Sequence, residues 1–171
     1  MADGDGIEAS LRIRVGSEDA HYGNIAAGAY VMELFGDLAT EITVRRDGDE
    51  GLLRAYEQVE FLSPVRPGDF LECRARLVRE GKSSRTFEAE AWKVISTRPE
   101  ISDSAADVLE EPVLVARAIG TTVVQQQYQR KPEARRQRRP AARPWPGRAS
   151  PPTPGPAPPS PSCRWSWSRR A

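Results

Sequence analysis

The chain is poor in the groups that mark metal and cofactor chemistry. It has one histidine, His21, and two cysteines, Cys73 and Cys163, in 171 residues. A metal site needs several closely spaced ligands, so none is expected. No Gly-rich phosphate loop and no Gly-x-Ser-x-Gly elbow is present. No run approaches the roughly 18 apolar residues of a membrane-spanning helix. Met1–Gly6 is acidic and lacks an apolar signal core. The two cysteines fall in segments of different composition, so two free thiols are a simpler reading than a disulfide. These absences point to a cytoplasmic protein.

The near-neutral net charge hides two opposite halves. From Arg130 onward 11 Arg or Lys accompany one acidic residue, Glu133; Met1–Gln129 carries 14 basic and 23 acidic residues. An acidic body argues against nucleic acid as the partner of the folded part. The composition separates a folded domain over residues 7–126 from an Arg/Pro-rich tail over residues 127–171. The tail has few branched apolar residues and cannot offset the entropy of ordering, so it is expected to be disordered. Trp145, Trp165 and Trp167 among arginines also fit a basic tail for nucleic acid or an anionic membrane. A shifted reading frame in GC-rich coding sequence would give the same composition.

Within the body, Ile7, Ala9, Leu11, Ile13 and Val15 alternate with mostly polar residues, the period of a half-buried strand. From Ala26 to Arg45 the period becomes helical: Val31, Leu34, Phe35, Leu38, Ala39 and Ile42 form one apolar stripe. Asn24 is the expected N-cap, and Asp47-Gly48 the expected stop. Gly28 and Gly36 are poor helix formers; close backbone approach, to a ligand and to a packed sheet, would explain them. Strands follow over Leu52–Val65, Phe70–Glu80 and Ser84–Ile95. Pro67-Gly68 suits a type II turn between the first two. Thr97–Pro112 reads as an acidic connection, and Val113–Val124 as a last strand. The order predicts an α+β domain, one long helix on an antiparallel sheet.

Three groups could carry chemistry. His21 precedes the helix, and an imidazole there could relay a proton or hold a carbonyl; a structural histidine bonded to the helix start has the same signature. The helix start, Ala26-Ala-Gly-Ala29, has small side chains and amide N–H groups without intrahelical partners, which suits an oxyanion. Small residues would equally let a helix cross a sheet closely. Glu33, Asp37 and Glu41 form an acidic column at i, i+4 spacing. Glu33 reads as a solvated charge. Asp37 and Glu41 lie nearer the apolar stripe, where a carboxylate can act as a base. On β-type alternation Glu60 and Leu62 share one face, and Phe61 and Ser63 the other. Tyr56 and Glu60 are candidate lining groups, and surface exposure is the plainer reading for Glu57.

Phe61-Leu-Ser-Pro-Val-Arg-Pro-Gly-Asp69 resembles the strand-turn-strand signature of hotdog acyl-CoA enzymes, in which a curved antiparallel sheet wraps around one central helix. Asp19-Ala-His-Tyr-Gly23, Leu34-Phe-Gly-Asp-Leu-Ala-Thr-Glu41, Asp47-Gly-Asp-Glu-Gly51 and the segment from Ile101 to Pro112 narrow the resemblance. Together they look like the 3-aminobutyryl-CoA and β-alanyl-CoA ammonia lyase family, over Leu11 to Val124. The resemblance implies a carbon–nitrogen lyase of lysine fermentation that eliminates ammonia from a 3-aminoacyl-CoA to give an enoyl-CoA such as crotonyl-CoA. It implies no cofactor beyond the coenzyme A of the substrate. It implies Glu41 or Asp37 as base with the other on the substrate ammonium, and His21 or Tyr22 orienting the thioester or shuttling a proton. Gly28, Tyr56 and Glu60 would complete the substrate site. It also implies a homodimer or higher homo-oligomer. A hotdog acyl-CoA thioesterase and a non-catalytic acyl-CoA-binding domain are the rival readings.

Overall fold

The computed structural model describes residues 6–130. Strand β1 (Glu8–Arg14) leads through a 3-10 turn (Tyr22–Asn24) to helix α1 (Gly28–Asp47). Strands β2 (Leu52–Phe61), β3 (Phe70–Glu80), β4 (Ser84–Thr97) and β5 (Ala106–Val123) follow, then a second 3-10 turn (Gln126–Tyr128). All pairings are antiparallel, in the order β1-β3-β4-β5-β2. The edges are therefore β1 and β2.

The helical stripe does what its spacing requires. Val31, Leu34, Phe35, Leu38, Ala39 and Ile42 are all buried. They meet a sheet face built from small side chains. Ala9, Ala75, Ala89 and Ala118 lie side by side across four strands. The next inward row is Leu11, Cys73, Ala91 and Ala116. Bulk there would hold the helix off the sheet and leave voids, which close packing does not tolerate. Bulk returns at one end, where Phe87 stacks edge-on against Tyr56 with ring centroids 6.0 Å apart. A Cβ on Gly120 would lie 2.6 Å from the Phe87 ring, so this position has room for hydrogen alone.

The opposite face is a lattice of charges. One row reads Arg74, Glu90, Arg117, Glu60 across β3, β4, β5 and β2. Glu60 pairs with Arg117, and Arg76 with Glu88. Alternating signs opposite one another stabilise a sheet by roughly 0.2–1 kcal/mol per pair. These pairs keep the outer face polar and settle which face receives the helix.

Buried charges fix the C-terminal end of the helix and the turn after β2. The Arg85 guanidinium bonds both Asp47 carboxylate oxygens, at 2.8 and 2.9 Å, with both side chains almost fully buried. Asp69 is also buried and accepts from the Arg66 amide (2.9 Å) and the Thr97 amide (2.9 Å), with Lys93 Nζ at 3.4 Å. The Pro67-Gly68 turn is the expected type II: Gly68 has φ +89, and the Asp69 amide donates to the Arg66 carbonyl at 3.0 Å.

Four local expectations are corrected. The helix begins at Gly28 with Ala27 as its N-cap, not at Ala26 with Asn24. Asn24 closes the preceding turn at φ +55, a conformation asparagine tolerates better than most residues. β2 ends at Phe61, and Leu62 and Ser63 instead donate their amides to the Val115 carbonyl. Thr97–Pro112 is largely strand: β4 runs to Thr97 and β5 starts at Ala106. This extended hairpin is exposed on both sides, Val108 at 75%, so it lacks the alternation that reveals a half-buried strand. Gly36 has open space where a Cβ would stand, so the sheet does not require it. The tail beyond Arg130 lies outside the described residues.

Candidate active site

A cleft of about 390 Å³ opens where the start of α1 meets the end of β2. Its walls include Gly28 and Val31 of the helix, Phe61, Leu62 and Ser63 after the β2 bend, and Val115 of β5. Three segments distant in sequence thus converge. The helix start is held in place by backbone bonds: the Ala26 amide donates to Val65 (2.8 Å) and the Ala27 amide to Asp19 (3.0 Å). The Tyr30 amide donates to Ala27 (3.1 Å). The amides of Gly28 and Ala29 have no acceptor among the described residues, and both residues are exposed. Two N–H groups without an acceptor among the described residues, at the positive end of a 20-residue helix beside an apolar cleft, have the chemistry that suits an oxyanion.

The loop carrying His21 frames the mouth. The His21 amide donates to the Ile25 carbonyl at 2.8 Å, and Ile25 lines the cleft. The imidazole is exposed and makes no hydrogen bond among the described residues. Tyr22 begins the 3-10 turn; its side chain lies outside the described residues.

Gly28 was expected to admit close approach, and the group that approaches is Phe61. A Cβ built on Gly28 would stand 3.0 Å from the Phe61 ring. Tyr56 points inward, but its hydroxyl donates to the Met32 carbonyl at 3.1 Å. It clamps β2 to the helix and does not line the cleft. Glu60 stands on the outer sheet face, bonded to Arg117 and Gln58, and those bonds hold its carboxyl below the usual range.

The helix carboxylates are separate from the cleft of the same chain. Asp37 is exposed and makes no ion pair among the described residues. It stands nine residues after Gly28, about 14 Å along the axis at ~1.5 Å per residue. Glu41, one turn further, accepts from Arg45 Nε at 2.7 Å. Among the described residues no ionisable side chain lines the cleft. In one copy of the chain the acceptor-free amides and the two carboxylates are therefore not brought together. Among the described residues no cluster of three or more metal-ligating side chains is found.

Phe61, Val31 and Val115 did not stand out in sequence. Alternation separated Leu62 from Phe61 and Ser63, but β2 ends at Phe61 and all three line the cleft.

Two buried acids give a pH dependence. Burial pushes the Cys73 thiol up to about 12 from an ordinary 9.0. Burial first, and then the charge of Asp19, pushes the Tyr30 hydroxyl up to about 12 from 10.0. That hydroxyl has no hydrogen-bond partner among the described residues. Both groups stay neutral in the fold at a pH where the unfolded chain ionises them. Their contribution is intact below about pH 9 and is lost as pH rises from there through 12. Urea unfolding is expected to give a lower midpoint at pH 10.5 than at pH 8; equal midpoints would contradict this.

Comparison with known proteins places this geometry. Residues 21–98 match the family model of the Thioesterase superfamily. The chain is 50% identical over 122 residues to the 3-aminobutyryl-CoA ammonia lyase of Acetoanaerobium sticklandii, covering 71% of this chain and 97% of that enzyme. The β-alanyl-CoA:ammonia lyase of Clostridium propionicum superposes with a TM-score of 0.71 at 35% identity, over 74% of this chain and 91% of that one. A hexameric hotdog fold thioesterase of Campylobacter jejuni matches with a TM-score of 0.59 at 18% identity, over 74% and 92% of the two chains, and shares the fold. The sheet wrapped on one helix is a hotdog domain, and the chain belongs to the family of 3-aminobutyryl-CoA and β-alanyl-CoA ammonia lyases.

Proposed function

We propose that this protein is a carbon–nitrogen lyase that reversibly eliminates ammonia from a 3-aminoacyl-CoA, with 3-aminobutyryl-CoA giving crotonyl-CoA. The observation that carries the reading is 50% identity across 97% of a 3-aminobutyryl-CoA ammonia lyase. The geometry suits the chemistry. The Gly28 and Ala29 amides polarise the thioester carbonyl and stabilise the enolate that forms when C2 loses its proton. A carboxylate takes that proton. The electron pair of the C2–H bond becomes the C2=C3 bond, and the C3–N pair leaves with the nitrogen. A substrate in the ammonium form thus releases neutral ammonia. Nothing in this sequence of bonds calls for a cofactor beyond the substrate's coenzyme A.

Asp37 suits the base, because it makes no ion pair among the described residues. Glu41, which pairs with Arg45, suits the substrate ammonium. His21 and Tyr22 stand in the loop at the mouth, where they would orient the thioester.

The separation of Asp37 from the free amides supports an active site shared by two copies, the carboxylates of one facing the cleft of the other. The β2 edge supports a homodimer. It is a free strand edge with exposed apolar side chains at Leu52 (73%), Leu53 and Phe61 (55%), and such edges pair when nothing blocks them. Mixing Asp37→Asn chains with chains disabled at the helix start, Gly28→Pro, is expected to restore about a quarter of wild-type activity, since half of randomly paired dimers regain one intact site. Activity no higher than that of either variant alone would rule out a shared site. Among the described residues no helix is long and apolar enough to cross a membrane. With a free, buried Cys73, the cytoplasm is the compartment proposed.

The reading is tested in reverse. Crotonyl-CoA incubated with an ammonium salt should lose its enoyl absorbance and gain the mass of ammonia. An unchanged enoyl-CoA, or hydrolysis to free coenzyme A, would instead favour the thioesterase chemistry of the wider superfamily.

A further inference from the structure

We infer that the cleft beside the helix start is a subsite for an alkyl group on C3 of the acyl chain, with Phe61 as its movable wall. The inference rests on the ammonia-lyase reading. Ser63 carries the one polar side chain in the lining, and the rest is aliphatic or aromatic. The lining of this chain offers an ammonium group no counter-charge, so burying one against it would cost several kcal/mol. The amine on C3 therefore turns toward the carboxylates that the second copy brings to the open side of the cleft, and the other substituent on C3 turns against the apolar lining.

Reach supports the same assignment. A thioester oxygen bound by the Gly28 and Ala29 amides places the carbonyl carbon at the helix start. C3 is two bonds further along, within reach of Phe61, which touches Gly28, and of Val31, one turn on. The volume, about 390 Å³, leaves room for more than a methyl group. Phe61 is the adjustable element. Its ring packs against the bare backbone of Gly28, yet in the single chain the residue is 55% exposed, at the end of the β2 edge proposed to pair with a second copy. It can move without disturbing the buried core. Val31 and Val115 are buried and fixed.

One methyl group in an apolar pocket is worth roughly 10- to 200-fold in kcat/KM. Two consequences follow. The enzyme should favour 3-aminobutyryl-CoA over β-alanyl-CoA by about 10-fold or more, and it should accept a C3 ethyl or propyl group.

The test is kcat/KM for ammonia release from β-alanyl-, 3-aminobutyryl-, 3-aminopentanoyl- and 3-aminohexanoyl-CoA. Wild type is compared with Phe61→Ala and Phe61→Trp. Phe61→Ala should move the optimum to longer chains and Phe61→Trp to shorter ones. The Trp variant preserves apolar surface on the β2 edge, so opposite shifts in the two variants exclude a common effect on assembly. Ammonia release indifferent to chain length, or an optimum that neither variant moves, overturns the subsite and leaves the lyase reading standing. No ammonia from any of the four substrates overturns both.

Discussion

Asp47→Ala is expected to lower stability by about 3–5 kcal/mol, a large share of the ~5–15 kcal/mol that holds a domain of this size together. Asp47 ends α1 and Arg85 sits near the start of β4, so their bidentate pair ties helix to sheet. Arg85 also donates to the carbonyls of Gly81 and Ser84, at 2.9 Å each, fixing the hairpin before β4. Removing Asp47 takes the bidentate partner from a guanidinium almost closed to water and leaves it to Glu80, 3.7 Å away. The distinguishing control is the double replacement Asp47→Leu with Arg85→Met. It removes both charges and keeps most of the volume, so it should recover much of the loss. Urea unfolding measures both. A single variant within 1 kcal/mol of wild type, or a double variant worse than either single, would contradict this view of the pair.

Asp37→Asn is expected to reduce kcat by about 10²- to 10⁴-fold, with KM little changed. The amide keeps the shape of the carboxylate but cannot take a proton. Glu41→Gln should act differently, mainly by raising KM for the aminoacyl substrate, since its proposed partner is the substrate ammonium. Exchange with heavy water separates the roles. Wild type and Glu41→Gln should incorporate deuterium at C2 of 3-aminobutyryl-CoA, and Asp37→Asn should not. Deuterium entering at the wild-type rate in Asp37→Asn would remove Asp37 from the proton-transfer step.

The sequence is most readable where burial is one-sided. The stripe from Val31 to Ile42 and the alternation of Leu71, Cys73, Ala75 and Leu77 each have one wet and one dry face, and both lie where their periods put them. The β4–β5 arm has two wet faces, so its apolar and polar residues carry no period. The helix start was misplaced because Ala27 caps without a side-chain bond, leaving no residue-type signal. Arg85 and Asp47 resemble surface charges until the fold brings them together across 38 positions. The candidate site divides the same way. The acidic column and the small residues at the helix start are local patterns and legible. The cleft joins three distant segments, and the distance from Asp37 to the free amides is a property of the folded helix relative to its surroundings. Glu60 shows the converse: alternation separated it from Phe61, and only the fold shows which of the two faces the helix.

The most direct measurement of the central claim is a single incubation of the 171-residue chain with 3-aminobutyryl-CoA, following enoyl absorbance, ammonia and free thiol together. The expected result is enoyl-CoA and ammonia appearing in equal amounts, with no thiol. Thiol released without ammonia would contradict the account and place this chain among the thioesterases whose fold it shares.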